Sequence, residues 1–201
     1  MIPMAVVDHG AGNLVSVCAA LQRGGATPAL VDRPADLRRF AGVVLPGVGA
    51  TGAAMKRLAN AGWIDPLAEV QVPLLGICLG MQLFFEWSEE DPAPCLGLIR
   101  GAVRRLRDTP RLPHIGWNDL AAKTADPLLA GLPERPVFYF VHSFAPEPSQ
   151  PGVVVATTTY GSELVAMVRA GNLVGVQFHP ERSGQAGHQL LANFVAECRA
   201  A

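Results

Sequence analysis

Apolar residues in the first ninety positions fall into short, almost unbroken runs, separated by segments where they recur every three or four residues. Ala5–Asp8 reads as a buried strand, Gly10-Ala11-Gly12 as a turn, and the spacing predicts a helix over Leu14–Arg23. Ala29–Val31 is a second strand and Ala35–Phe40 a short helix. Gly42–Leu45 is a third strand, ending at Pro46-Gly47-Val48-Gly49, with a helix over Gly52–Asn60 after it. A fourth strand, Pro73–Cys78, continues into a helix over Gly80–Trp87. Strands that alternate with helices, each strand nearly all apolar, predict a parallel sheet covered on both faces.

After Glu90 the pattern changes. Gly101–Leu106, Val137–Val141, Val153–Thr157, Leu164–Val168 and Leu173–Phe178 are strand candidates with few helices between them. Ala170-Gly171-Asn172 marks a hairpin, because Gly and Asn tolerate the positive φ of a tight turn. Pro146-Glu147-Pro148-Ser149-Gln150-Pro151 reads as an exposed loop. A last helix over Gln185–Arg199 places Leu190, Leu191, Phe194 and Val195 at helical spacing. The expectation is a single α/β domain over residues 1–201. Its central sheet is open and mostly parallel, with helices on both faces and antiparallel strands added in the second half.

Composition narrows the function. Half of the 201 residues are hydrophobic and 16% are charged, enough for a sizeable core and too apolar for disorder. A net charge of −1 and few aromatics argue against nucleic acid and anionic membranes as partners. Cys18, Cys78, Cys95 and Cys198 form no CxxC pair, so neither a zinc site nor a disulfide framework is expected, and reduced thiols in the cytoplasm are the simple reading. The chain enters the strand-like Met4–Asp8 with no basic and apolar leader before it, so no signal peptide is expected. The uncharged stretch Ala41–Met55 is broken by Pro46 and glycines and is too short to span a bilayer.

The central chemical signal is Gly76-Ile77-Cys78-Leu79-Gly80, where a buried strand runs into a helix with a cysteine between two glycines. Small flanking residues permit the sharp, strained turn of a nucleophile elbow. Such a turn holds the sulfur at the sheet's C-terminal edge near a helix N-terminus, which favours the reactive thiolate. It also offers the Leu79 N–H to an oxyanion. Taken alone, the pattern equally fits a small buried hydrophobe. A hundred residues on, a strand ends in His179-Pro180-Glu181, where the proline stiffens the backbone as the histidine emerges. His179 is the candidate base for Cys78, and Glu181 the acid that holds its tautomer. His-x-Glu alone would also fit a surface polar pair; beside the elbow it reads as part of a triad.

Gly76-x-Cys78-x-Gly80 with His179-Pro180-Glu181 resembles the class I glutamine amidotransferases over nearly the whole chain. Several segments look like the glutaminase subunits of imidazole glycerol phosphate synthases: Asp8–Asn13, Pro46–Gly49, Cys78–Leu83, Pro113–Asn118, Tyr139–Ser143 and Arg182–Gly184. The resemblance implies a flavodoxin-like fold, glutamine as substrate, and hydrolysis to glutamate and ammonia with no metal or organic cofactor. Val48, in a Gly47–Gly49 segment able to flip its peptide, would join Leu79 as oxyanion donor. Gln82, one helical turn beyond Cys78, and Glu90 would hold the α-carboxylate and α-amino ends, helped by the backbone at His142, Ser143 and Phe144. Asn13, Trp117, Asn118, Tyr139 and Arg182 would face a partner, the (β/α)8 cyclase subunit of a heterodimer that consumes the ammonia in histidine biosynthesis. The residues themselves also fit a solvated Glu90 and core positions for Trp117 and Tyr139. Departures from the family pattern are His9 for tyrosine, Thr51 for an aromatic, and Phe144 for tyrosine. Rival readings are a glutaminase for another acceptor (an anthranilate or purine precursor), a non-catalytic binding subunit, and a cysteine peptidase.

Overall fold

Each central strand is apolar on both sides, and each therefore feeds two cores. In the computed structural model, which describes residues 1–34 and 37–201, the strands are β1 (Ile2–Val7), β2 (Ala26–Val31), β3 (Gly42–Gly47), β4 (Leu74–Cys78), β5 (Trp87–Ser88), β6 (Ala93–Pro94) and β7 (Gly101–Arg105). They continue with β8 (His114–Asp119), β9 (Ala121–Ala122), β10 (Val137–His142), β11 (Phe144–Pro148), β12 (Val154–Tyr160), β13 (Ser162–Ala170) and β14 (Leu173–Val176). The helices are α1 (Leu14–Arg23), α2 (Thr51–Asn60), α3 (Ile64–Ala68), α4 (Leu79–Gln82) and α5 (Gly184–Ala200).

The main sheet runs β2-β1-β3-β4-β14-β13-β12-β9. The first five strands pair in parallel and the last three antiparallel, the mixed sheet that the apolar runs and the later hairpin predict. Strand periodicity divides the side chains. Met4 and Val6 pack with Val17 and Leu21 of α1 and with Leu190, Leu191 and Phe194 of α5. Ala5 and Val7 pack on the other face with Ala54 and Leu58 of α2 and Leu67 of α3. Gly171 makes the β13–β14 turn at φ +59°, as its hairpin signal implies.

Three expectations need correction. The helix over Gly80–Trp87 stops after Gln82, and Trp87–Ser88 is a strand paired with β7. The carbonyls that would have carried the helix on are claimed by a distant loop: Leu83 O accepts from Leu96 N–H, Phe84 O from Ile99 N–H and Phe85 O from Gly97 N–H, at 2.8–2.9 Å. Pro146–Pro148 is not an exposed loop but part of β11, the edge strand of a second sheet ordered β11-β7-β5-β6. An edge tolerates proline because no further strand needs the missing N–H. Of the helix expected over Ala35–Phe40, Ala35 and Asp36 lie outside the described residues, and Leu37–Arg39 is a single 3-10 turn. The strands β8 and β11 and the helix α3 carry no clear periodic signal. β8, interrupted by Gly116, pairs with β10 in a two-stranded sheet. Among the described residues no helix is long and apolar enough to cross a membrane.

Candidate active site

Glycines on both sides of Cys78 are required by the packing around them. A Cβ on Gly80 would lie 1.8 Å from the Leu45 carbonyl oxygen, and one on Gly76 would lie 2.7 Å from the Gly80 backbone. Between them Cys78 takes φ +53° and ψ −107°, strained values for a side-chain-bearing residue. The helix behind it, α4, is four residues long, so its dipole is far smaller than the longer helix expected there would supply. The Leu79 N–H opens that turn and has no partner within it. Across the sheet Gly47 stands in register with Cys78, and Val48 and Gly49 (φ +99°) follow immediately.

On the other flank Val176 pairs with Ile77, which carries the chain past Cys78 to His179. Backbone bonds pin that turn. His179 N–H donates to Tyr139 O at 2.9 Å, and the Ser183 hydroxyl donates to His179 O at 2.6 Å. Gly187 of α5 packs so closely that a Cβ there would meet Pro180 O at 1.9 Å. His179 Nδ1 and Glu181 Oε1 are 2.9 Å apart, with both side chains almost fully buried. A carboxylate only accepts, so Nδ1 carries a proton, and Nε2 is the ring position that Glu181 does not hold. Nε2 and Glu181 Oε2 have no aligned hydrogen-bond partner. Burial by itself would lower the imidazole pKa, but the Cys78 sulfur and the Glu181 carboxylate outweigh it and raise it well above the ordinary histidine value.

Gln177, which the sequence reading passed over, contacts the Cys78 sulfur from within the core. It is wholly buried. Gln82 Nε2 lies 2.9 Å from Phe144 O, an obligate acceptor, so the Gln82 amide orientation is determined. The same nitrogen donates to Gln177 Oε1 at 3.0 Å, and Gln177 Nε2 is thereby left to donate to Cys78 Sγ at 3.5 Å. The thiol's own direction is toward Val141 O, at 3.9 Å. Gln82 keeps only its carbonyl oxygen for a ligand, which suits an ammonium rather than a carboxylate. A lone amide in an apolar strand, two residues before the base, was the available signal.

His142 is tied in similarly. Its Nδ1 donates to Phe144 O at 2.8 Å, so its Nε2 accepts from His114 Nδ1 at 3.0 Å. Burial, the neighbouring His114 and His179 push the His142 pKa down to about 4, so the pair is neutral at pH 7. Cys78, Leu79, Val48, Gly49, Gln82, Glu90, His142, Ser143 and Phe144 line one cleft of about 430 Å3. A larger groove of about 540 Å3, between Arg104, Arg107, Glu147 and Leu164, contains none of Cys78, His179 and Glu181 and lies apart from this chemistry.

The expected partner-facing residues are only partly together. Arg182 lies over the Tyr139 ring at 5.2 Å, and that ring packs edge-on against Trp117 at 5.9 Å. Trp117 is 59% exposed rather than a core residue. Asn13 and Arg182 both border a small void behind His179 and Glu181, although the Asn13 side chain also caps α1, its Oδ1 accepting from Ser16 N–H. Asn118 turns the other way: one residue on from Trp117 its side chain faces inward, donating to Thr159 O at 2.8 Å. Among the described residues no group of three or more His, Cys, Asp or Glu could hold a metal ion.

A family model described as glutamine amidotransferase class-I matches residues 5–198. The imidazole glycerol phosphate synthase subunit HisH of Xylella fastidiosa (strain Temecula1) is 50% identical over 197 residues, which cover 97% of this chain and 98% of that protein. The subunit HisH of Synechococcus sp. (strain JA-3-3Ab) is 48% identical over 201 residues, covering 96% and 93%. Among solved structures, a glutamine amidotransferase matches with TM-score 0.76 at 23% identity, covering 97% of this chain and 98% of that one. PurLQS from Thermotoga maritima matches with TM-score 0.75 at 23% identity over 98% and 99%. At that identity these two structures speak for the fold alone.

Proposed function

The chain belongs to the class-I glutamine amidotransferases, and from that premise we propose that it is the glutaminase subunit of an imidazole glycerol phosphate synthase, with residues 1–201 forming one amidotransferase domain. The observation that carries the reading is the single cleft that Cys78 shares with Gln82, Glu90 and the His142–Phe144 segment. The relatives near half identity over almost their full length bear the name of that subunit.

The Cys78 sulfur, as thiolate, attacks the side-chain carboxamide carbon of glutamine. The N–H groups of Leu79 and of Val48, once its peptide turns inward, receive the oxyanion. His179, its Nδ1 held by Glu181, passes the proton on its Nε2 to the leaving nitrogen. The C–N bond breaks, ammonia departs, and a γ-glutamyl thioester remains. Water then gives a proton to His179 and attacks the thioester; the C–S bond breaks, and glutamate leaves with the thiolate restored. Glu90 and the Gln82 carbonyl bind the α-ammonium, while Ser143 and Phe144 serve the α-carboxylate. Free ammonia is a nucleophile and ammonium is not, so the product has to pass directly to a partner. That partner is the cyclase subunit, docked over Trp117, Tyr139 and Arg182. The work is placed in the cytoplasm, where four free cysteines remain thiols.

The test is glutamate release from glutamine by the purified chain, alone and with the cyclase subunit and its ribonucleotide substrate. Strong stimulation that Cys78→Ala abolishes is the expected result. Cys78-dependent hydrolysis indifferent to the cyclase would reassign the acceptor, and a folded chain with no activity in any mixture would overturn the enzyme reading.

A further inference from the structure

Thr51 stands where the family pattern carries an aromatic, and it is wholly buried at the start of α2, just beyond the Gly47–Ala50 loop. Its surroundings are polar. Thr51 N–H donates to Glu90 Oε2 at 3.0 Å, and the Thr51 hydroxyl lies 2.9 Å from the same oxygen. The Ser88 hydroxyl is 3.0 Å from Thr51 Oγ1, and Glu90 N–H donates to Ser88 Oγ at 3.2 Å. Because a carboxylate only accepts, every proton in this group has one direction. Glu90 N–H points to Ser88, the Ser88 hydroxyl to Thr51, and the Thr51 hydroxyl to Glu90 Oε2. The ring begins and ends on Glu90. Both of its strong donors take Oε2, and no described residue hydrogen-bonds to Oε1. The attachment is tight: a Cβ on Gly52 would meet Asp91 Cβ at 2.9 Å.

We propose that Thr51 is a positioning residue for substrate: with Ser88 it locks the Glu90 carboxylate so that Oε1 is presented to the α-ammonium of glutamine in the cleft. The inference rests on the reading of Glu90 as the ammonium site given above. An aromatic side chain at position 51 cannot close the ring, so this mode of holding Glu90 depends on the hydroxyl that Thr51 brings. The competing account is structural. Glu90 also serves as the N-terminal cap of α2, whose own N-cap, Ala50, has no side chain for the task. A cap alone would make Thr51 matter for folding and not for the recognition of an ammonium group.

Two ligands separate these accounts: glutamine, and glutaramate, which has the same amide and carboxylate but no α-ammonium. Each is measured with the chain assembled with its cyclase, glutaramate as a substrate or, if not hydrolysed, as a competitive inhibitor of glutamine hydrolysis. Thr51→Val keeps the shape and removes the hydroxyl. It is expected to raise the glutamine KM about tenfold, the worth of one hydrogen bond that orients a charge, with kcat within about threefold. Thr51→Ser should restore the wild-type value, and Ser88→Ala should act in the direction of Thr51→Val. None of these changes should alter the constant for glutaramate. Glu90→Gln should raise the glutamine KM at least as far and also leave glutaramate alone. If Glu90→Gln leaves the glutamine KM unchanged, the ammonium site is elsewhere and the proposal falls with it. If Glu90→Gln behaves as expected while Thr51→Val and Ser88→Ala do nothing, Glu90 needs no positioning and only the present inference is overturned. Equal losses on glutamine and glutaramate, or a loss in kcat alone, overturn it in favour of an effect through the oxyanion loop. Should Thr51→Val fail to fold, Ser88→Ala carries the same comparison.

Discussion

At the scale of single residues, the proposed nucleophile, Cys78, has more around it than the proposed triad partners. His179 lies on one side, and an uncharged amide approaches through a chain of donors that begins at the Phe144 carbonyl. A buried amide N–H aimed at a sulfur makes only a weak bond when the sulfur is neutral and a stronger one when it carries charge. Gln177 therefore favours the attacking state without competing for the proton that His179 must handle. Replacing Gln177 by leucine keeps the bulk and removes the donor, while Gln82 retains Phe144 O. The expected outcome is a drop in kcat of about 10- to 100-fold, the range for a hydrogen bond to a charged group, with KM little changed. Cys78 should also alkylate more slowly with iodoacetamide when no glutamine is present. A Gln177→Leu protein with wild-type kcat and wild-type alkylation rate would show that the 3.5 Å contact has no effect on the sulfur.

At the scale of elements, the elbow is a packing consequence of β3, β4 and α4 lying too close for a Cβ at Gly80. Gly80→Ala forces a methyl into the Leu45 carbonyl, so backbone and not a flexible side chain has to yield. The cost should reach about 3 kcal/mol, the upper range for overpacking, and a chain of this size should melt roughly 6–12 °C lower. Gly152→Ala, where nothing lies within 4 Å of the added carbon, should leave the melting temperature unmoved in the same calorimetric scan. Equal melting temperatures for the two would mean that the elbow has room to relax. This crowding also explains what was legible beforehand. Glycines beside Cys78, and proline between His179 and Glu181, are local constraints and show in the local sequence. The parallel runs of β1, β3 and β4 were legible for a similar reason, since strands buried on both faces need apolar side chains throughout. The early end of α4 was not, because Leu96, Gly97 and Ile99 take its carbonyls from a distance. Nor was β11, whose prolines mimic a loop until an edge position accommodates them. Gln177 went unremarked, and Thr51 showed only as a departure from the family pattern, because their roles depend on partners 99 and 39 positions away along the chain.

At the scale of the whole molecule, the proposed triad lies close to a surface that solvent alone does not account for. Val48 (45% exposed) and Trp117 (59% exposed) are large apolar side chains left outside the core. A line of contacts joins them: Val48, Asn13 and Arg182 border the void behind His179, Arg182 lies over Tyr139, and Tyr139 packs on Trp117. Scattered apolar residues need no explanation, but a patch with an aromatic and an arginine beside a catalytic mouth fits the anchor of a protein interface. It also suits a product that has to leave without meeting bulk water. If the cyclase covers this patch, Trp117→Ala should weaken its binding about 30-fold or more, the effect of losing one buried aromatic anchor. The melting temperature of the free chain should barely change, because an exposed ring contributes little to the fold. Titration calorimetry with the cyclase, read beside a thermal scan of each protein, makes the comparison. Unchanged affinity would move the docking surface away from Trp117, and would leave the ring's exposure without a functional reason. A fall in melting temperature alongside weaker binding would instead mark Trp117 as a support for the β8–β10 ribbon, acting on the partner only through the shape of that ribbon.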